Sequence, residues 1–386
     1  MKCIGITALI NFDNWDNPDF LETGGVNSVI KSIIPYLEAD KIILLGITYD
    51  KEKLLKEEKI NERTSVLPII YKSDSNFLPN RILGFIYGRR LRKILCDYQV
   101  NFVYSHSEEL AFWLSDFRVP YIHHLHTYVN ALTVSGGKLA KVKLLQYVWE
   151  KIRYRVIKKS FKSVAVNRDV VLMLESLIGK DRIISFPNYV DPVKFSYQNS
   201  SDIKERYDLV GKRIALFIGR ITKIKGLELF VDTISELNKV SNKNWVGVIV
   251  GNGEYEGPIK NYIQENSKIE WFVFSGPINA PLELSKFYSV ADVFLITSLS
   301  ESVPLTLLES LSCGTPVVST DVGVARDVLG FKNGFVVSAH AAAEMANLVL
   351  KALPFKSKTS ILDKPEEYSV INASNLLNNE FRKQTN

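Results

Sequence analysis

The stretch Thr297–Gly323, TSLSESVPLTLLESLSCGTPVVSTDVG, decides the reading of the fold. It overlaps the end of a short apolar run, ADVFLITS (Ala291–Ser298), which reads as a buried strand. A polar turn, LSES, follows. Pro304 suits the first turn of a helix, where its missing N–H costs nothing, and Ser302 offers a hydroxyl as the N-cap. Leu307, Leu308 and Leu311 recur at helical spacing and face a core. Gly314 ends the helix, and TPVVST is the next strand. Two carboxylates, Glu301 and Glu309, stand eight residues apart in this unit, one on the loop at the strand's C-terminal end and one inside the helix. In an open α/β sheet that loop is where ligands bind. The helix start, Ser302, Val303, Pro304 and Leu305, offers free N–H groups and a positive dipole end that suit a phosphate. A carboxylate on each side would hold hydroxyl groups flanking that anion. Sugar, phosphate, second sugar is the layout of a nucleotide sugar. The plainer alternative is a surface glutamate on a loop and another on a helix face.

Outward from this stretch the same alternation continues. The first half holds strand-like runs CIGITALI, KIILLGIT, SVLPII, NFVYSHS, PYIHHLH, KSVAVN and RIISFPNYV. The second half holds RIALFIGR, WVGVIVGNG, EWFVFSG, ADVFLITS, TPVVST and GFVV, with helical segments such as GLELFVDTISELNKV between them. Alternation of this kind predicts parallel sheets with helices on both faces. The polar stretch DPVKFSYQNSSDIKERYDLVGKR reads as a linker. The expected organisation is two doubly wound Rossmann-like domains, residues 1–195 and 196–365, with the tail 366–386 as a helix packing back on the first domain.

Composition fits a globular chain: 386 residues, 46% hydrophobic and 23% charged, long enough for two cores. No secretory signal and no apolar run of about 18 residues is visible, so a cytoplasmic protein without a membrane span is expected. Cys3, Cys96 and Cys313 are far apart and fit a reduced compartment. The net charge of +6 is uneven, with +7 carried by residues 1–190 and −1 by the rest. The excess is densest in Lys138–Lys162, with nine basic residues and one acidic residue, Glu150. Leu144, Leu145, Val148, Trp149, Ile152, Val156 and Ile157 form an apolar stripe there. Such a helix either lies on an anionic membrane surface or packs on its own domain with a solvated basic face. No nucleic-acid module accompanies the charge.

Further motifs sit at strand ends. FIGRITKIKGLELF places Arg220 and Lys225 on either side of one strand-to-helix junction after Gly219. Two cations beside a helix start would clamp a pyrophosphate, Arg by bidentate contact and Lys as a point charge. They would also stabilise charge growing on a departing nucleoside diphosphate. VGNGEYEG is a second glycine turn, at Gly251 and Gly253, and ETGGVNSVIKSI puts Gly24 and Gly25 before a helix. Either could admit a phosphate or merely satisfy a tight turn. His106, His123, His124 and His126 cluster in VYSHSEE and PYIHHLHTY, with His124 and His126 on the same side of a strand and His123 opposite. They read as substrate contacts or buried strand histidines, since no His/Cys spacing gives a zinc signature. No D-x-D triplet, P-loop or G-x-S-x-G occurs, and no G-x-G-x-x-G follows the first strand as a dehydrogenase would need.

Taken in chain order, these motifs resemble the retaining glycosyltransferases of family 4, which have the two-domain GT-B fold facing across a cleft. TGGV resembles the family's N-terminal glycine loop, PYIHHLHTY its histidine strand with the family histidine at His126, and FPNYVDPVKF its linker signature. GRITKIKG resembles the donor-phosphate motif, and ESVPLTLLE the E-x7-E motif with Glu301 and Glu309. The resemblance implies that Glu301 contacts the donor sugar, Glu309 binds the ribose, and the phosphates sit at the helix start between them. It also implies retention of anomeric configuration, no metal requirement, and proton transfer to the leaving phosphate oxygen. Three positions depart from the pattern: Tyr189 stands for a linker glycine, Ser302 for a glycine after the first glutamate, and VGVARDV carries only Gly323 with Asp327 late. The expected function is transfer of a hexose from a nucleoside-diphosphate sugar to a glycan or lipid-linked oligosaccharide in cell-surface polysaccharide synthesis. Two rivals remain at this point: a nucleotide-sugar epimerase, and a catalytically silent nucleotide-sugar-binding subunit that scaffolds a partner.

Overall fold

The computed structural model describes residues 2–13, 15, 25–73, 78–126, 143–241, 244–301, 303–338 and 340–384. Gly24, Ser302 and Lys138–Val142 of the basic stretch lie outside them. The chain divides into two compact units, Met1–Pro187 with Ile371–Asn386, and Asn188–Val370.

The first unit is built on eight strands: β1 Cys3–Asn11, β2 Lys41–Thr48, β3 Glu58–Lys59, β4 Thr64–Tyr71, β5 Phe102–Ser105, β6 Tyr121–Leu125, β7 Lys162–Ala165 and β8 Ile183–Ser185. They stand in the order β3-β4-β2-β1-β5-β6-β7-β8. Every pairing is parallel except β3 with β4. In β2 every residue after Lys41 is buried, which marks a strand covered on both faces. One face packs Leu45, Leu91, Leu95, Val103, Leu110 and Val156 into a common core. The helix Val370–Lys383 adds to this unit from Ile371 onward. Its Phe381 meets Phe102 edge-on at 4.9 Å. Its Asn378 accepts from the Glu38 N–H and donates to the Tyr36 carbonyl, at 2.8 and 2.9 Å.

The second unit holds β9 Arg213–Ile218, β10 Trp245–Val250, β11 Phe272–Gly276, β12 Val293–Ile296, β13 Val317–Ser319 and β14 Gly334–Val336. Their order is β11-β10-β9-β12-β13-β14, all parallel. Strand order reverses between β9 and β12 here, and between β1 and β5 in the first unit. Such switch points leave a crevice beyond the strands' carboxyl ends. Arg220 and Glu301 follow β9 and β12, so the motifs fall at the switch point of their own sheet.

Two local expectations are corrected. The helix after β12 is Leu305–Ser312, with Pro304 as its extended N-cap (φ −69°, ψ 110°) and no side-chain cap, so Pro304 is not in the first turn. The strand-to-helix junction between Arg220 and Lys225 is not direct: Lys223–Lys225 form a 3-10 turn and Gly226 caps the helix Leu227–Val240. The two-residue strand β3 carries no sequence signal, because Glu58 and Lys59 are exposed and polar and have no hydrophobic period. The cysteines are free, with Cys3 and Cys313 buried.

Candidate active site

The second unit's site is built by backbone approach. After β9 the chain turns through Gly219, whose N–H bonds the Val250 carbonyl at 3.0 Å. Gly251 follows β10 with φ 139°, and a Cβ there would lie 2.0 Å from the Gly219 carbonyl oxygen. The two strand-end turns therefore touch backbone to backbone, and only glycine allows it. Gly226 is the second such point. Its φ is 58°, and a Cβ would stand 2.3 Å from the Thr297 oxygen. Thr297 in turn donates its hydroxyl to the Lys225 carbonyl at 2.9 Å. The turn after β9 is thereby fastened to the loop after β12.

That fastening brings Lys225 and Glu301 together in a direct ion pair, Nζ to Oε1. Ser298 donates its hydroxyl to the same carboxylate oxygen at 2.8 Å. Both charged side chains keep partial exposure, 26% for Lys225 and 18% for Glu301, so the pair faces solvent that a ligand would displace. Val303 and Pro304 are buried, and the Val303 carbonyl accepts from Asn188 Nδ2 at 3.2 Å. Leu305 is half-buried at the helix start, and Arg220 is exposed beyond Gly219. Glu309 makes a separate contact, accepting from the Tyr288 hydroxyl at 2.7 Å. Burial pushes its carboxyl up to about 7, and the Tyr288 hydrogen bond opposes that rise.

In the first unit, Gly25 is the exposed first residue of the helix Gly25–Ile33. His126 directly follows β6. Its Nε2 lies 2.9 Å from His106 Nδ1, and its ring stacks on His124 with centroids 4.2 Å apart and planes 9° off parallel. Burial lowers His126 to about 4 and His123 to about 3, and carries His106 and His124 well below the usual imidazole range. All four rings are neutral at pH 7. A cavity of about 440 Å³ opens beside them, lined also by Leu9, Ile10, Arg81 and Glu109. Arg81 pairs with the buried Glu109 at 2.6 Å, and Ser107 donates to the other oxygen of that carboxylate at 2.6 Å. Glu108 is raised by burial, held by Arg153 at 3.3 Å and by the Trp149 N–H at 2.8 Å.

Sequence reasoning missed Arg81, Glu109, Ser298, Tyr288 and Asn188. Only the SEE step after His106 gave a local signal, as an N-cap serine before acidic first-turn residues. The other partners are distant in sequence and no period links them. The basic helix Lys143–Lys159 also divides differently from the expected stripe. Trp149, Val156 and Ile157 are buried with Arg153, while Leu144, Leu145, Tyr147, Val148 and Tyr154 are exposed.

Two doubly wound units, each with a switch point, and the Lys225–Glu301 pair at the second fit a glycosyltransferase of the GT-B class, and comparison with known proteins identifies that class. Residues 23–194 match Glycosyltransferase Family 4, and residues 199–364 match Glycosyl transferases group 1. The chain is 25% identical over 376 residues to alpha-monoglucosyldiacylglycerol synthase of Streptococcus pneumoniae, covering 92% of this chain and 81% of that protein. Sucrose-phosphate synthase of Thermosynechococcus elongatus shares the fold with a TM-score of 0.74 at 15% identity, over 100% of this chain and 95% of that one. The HepE protein of Anabaena, solved with UDP and glucose, gives 0.72 at 15% identity, over 99% of this chain and 100% of that one. The chain belongs to the family 4 glycosyltransferases.

Proposed function

We propose that the chain is a retaining hexosyltransferase that uses a nucleoside-diphosphate sugar. The observation that carries this reading is the Lys225–Glu301 pair, held at the switch point by the Gly226–Thr297 approach. Lys225 and Arg220 bind the diphosphate, with the N–H groups at Val303, Pro304-capped Leu305 and the following turn adding to the anion site. Glu301, released from Lys225, accepts from hydroxyls of the sugar. Glu309 accepts from the ribose. Gly251 keeps the turn at Gly219 in place by its close backbone approach, Gly219 leaves room there for the ligand, and His126 takes part in transfer from the first unit. As the sugar–phosphate bond breaks, charge grows on the phosphate oxygen that leaves. The two cations stabilise it, and that oxygen takes the proton of the attacking acceptor hydroxyl on the same face. Arg220, Lys225 and the helix dipole supply the positive charge, so no metal is needed.

The acceptor in this reading is a glycan or a lipid-linked oligosaccharide of cell-surface polysaccharide synthesis, reached from the cytoplasmic face. Similarity to an alpha-monoglucosyldiacylglycerol synthase, named for a glucosylated diacylglycerol, supports a lipid acceptor. The exposed apolar and basic side chains of the helix Lys143–Lys159 support peripheral contact with an anionic bilayer, and no helix of the described residues is long and apolar enough to cross a membrane. Nucleic acid has no part.

The test is turnover of a panel of nucleotide sugars, in EDTA, with lipid-linked acceptors in anionic or neutral vesicles. The expected result is a glycosylated lipid with the donor's anomeric configuration, formed faster on anionic vesicles at low salt. Replacing Lys158 and Lys159 by Gln should remove that preference. An inverted product, or free isomerised sugar formed without acceptor, would contradict the reading.

A further inference from the structure

The histidine cluster of the first unit has coordination chemistry that sugar transfer leaves unused. His106, His124 and His126 each bring a ring nitrogen within 4.8 Å of the other two. A neutral imidazole carries one N–H and one lone pair, so three converging rings cannot all satisfy one another. Only His106 Nδ1 and His126 Nε2 meet at hydrogen-bond distance, 2.9 Å. His124 Nδ1 is held by the Tyr104 hydroxyl. Nε2 of His124 and Nε2 of His106 are buried with no hydrogen-bond partner among the described residues. A buried unpaired nitrogen costs stability, and a cation that takes the lone pair of His124 Nε2 removes that cost. The same three rings line the cavity of about 440 Å³.

We infer that His106, His124 and His126 form a site for a divalent transition metal of the zinc and cobalt kind, with its fourth position open to the cavity. Imidazole nitrogen is a preferred ligand of these ions, and three protein ligands with one open place is a recurrent coordination. Metal–nitrogen bonds of about 2.0–2.1 Å need ligand nitrogens roughly 3.3 Å apart. The rings reach this by sharing shifts of about an ångström, and the metal replaces the His106–His126 hydrogen bond. Tyr104 is the positioning residue: its hydroxyl on Nδ1 leaves Nε2 of His124 to face the ion, as partners of metal-bound histidines commonly do. Half-buried His126, at the end of β6, stands at the point of entry. A bound ion takes the lone pair of His126 and so inhibits transfer, a consequence that rests on the part proposed for His126 above.

The experiment is titration of the metal-free full chain with Co²⁺, read by visible d–d absorption and equilibrium dialysis. The site predicts about one Co²⁺ per chain with bands of nitrogen coordination, displaced by Zn²⁺. His126→Gln and His106→Asn lose the bands, with circular dichroism confirming that both remain folded. Tyr104→Phe keeps all three ligands and binds about 10- to 100-fold more weakly. An absence of bands, or bands unchanged in His126→Gln, overturns the site whatever the fate of the transferase reading. Co²⁺ bound with the rate of transfer unaffected leaves the site standing and removes His126 from transfer.

Discussion

Burial lifts the Glu309 carboxyl to about 7, while His126 is held at about 4. Only the former changes charge near neutral pH, so the two roles separate by pH. In the proposed role a ribose hydroxyl donates to the ionised Glu309 carboxylate. Nucleotide affinity therefore rises as pH passes upward through about 7, and Glu309→Gln flattens that part of the slope, leaving what the diphosphate itself contributes. The stability sign is opposite. Glu309 is raised from 4.5, so the folded state binds the proton more tightly than the unfolded chain. Its contribution is full below the unfolded value and is lost as pH rises through about 7. Denaturant titrations at pH 5 and 8 should show this loss in the wild type and not in Glu309→Gln. Glu301 behaves differently, because it pairs with Lys225. Glu301→Gln frees Lys225, so the nucleotide binds at least as tightly while kcat falls about 10²–10³-fold. An equal fall in nucleotide affinity would count against the assigned roles. The sequence nominates both glutamates because one motif spaces them. Tyr288, which sets the environment of Glu309, is not nominated, since it lies on a different helix, Pro281–Val290.

Strands were the most legible elements. Runs such as KIILLGIT and WVGVIV are apolar apart from Lys41 and Thr48, and both become strands buried across their length after the first residue of β2. Helix starts were less legible, since the cap depends on contacts beyond the local sequence. Gly226 shows this. The sequence marks a turn there, but not that the Thr297 carbonyl stands where a side chain would go. Gly226→Ala must both hold a left-handed backbone and displace that carbonyl. The expected cost is about 2–4 kcal/mol, above the ordinary range for a surface glycine. Nucleotide affinity falls with it, because the Lys225 turn moves with the loop. Chemical denaturation and nucleotide titration of the variant check both effects. A fully stable Gly226→Ala that still binds nucleotide would show that the approach is not needed.

At the scale of the whole chain, alternating strand and helix patterns foretold two parallel sheets, and the charge asymmetry pointed to the basic helix. The tail's return to the first domain was expected, but the residues it meets there were not foretold. Phe381 reaches Phe102 from almost the far end of the sequence, and Lys162 meets Glu380 at 3.5 Å. Helical spacing in the tail shows an apolar face without showing which strand it covers. Phe381 is fully buried, so Phe381→Ala removes a ring from the first unit and costs about 3–5 kcal/mol. Because the nucleotide contacts assigned here are in the second unit, the dissociation constant for nucleotide should be unchanged under conditions where this variant stays folded.

Binding of a nucleoside diphosphate at the Lys225 turn is checked first by thermal unfolding with UDP, GDP, ADP or dTDP, each in EDTA. One nucleotide should raise Tm, since ligand at about 100 times its Kd adds roughly 2.7 kcal/mol to the folded state. Lys225→Ala should abolish that rise. No shift with any of the four, or an undiminished shift in Lys225→Ala, would contradict the account.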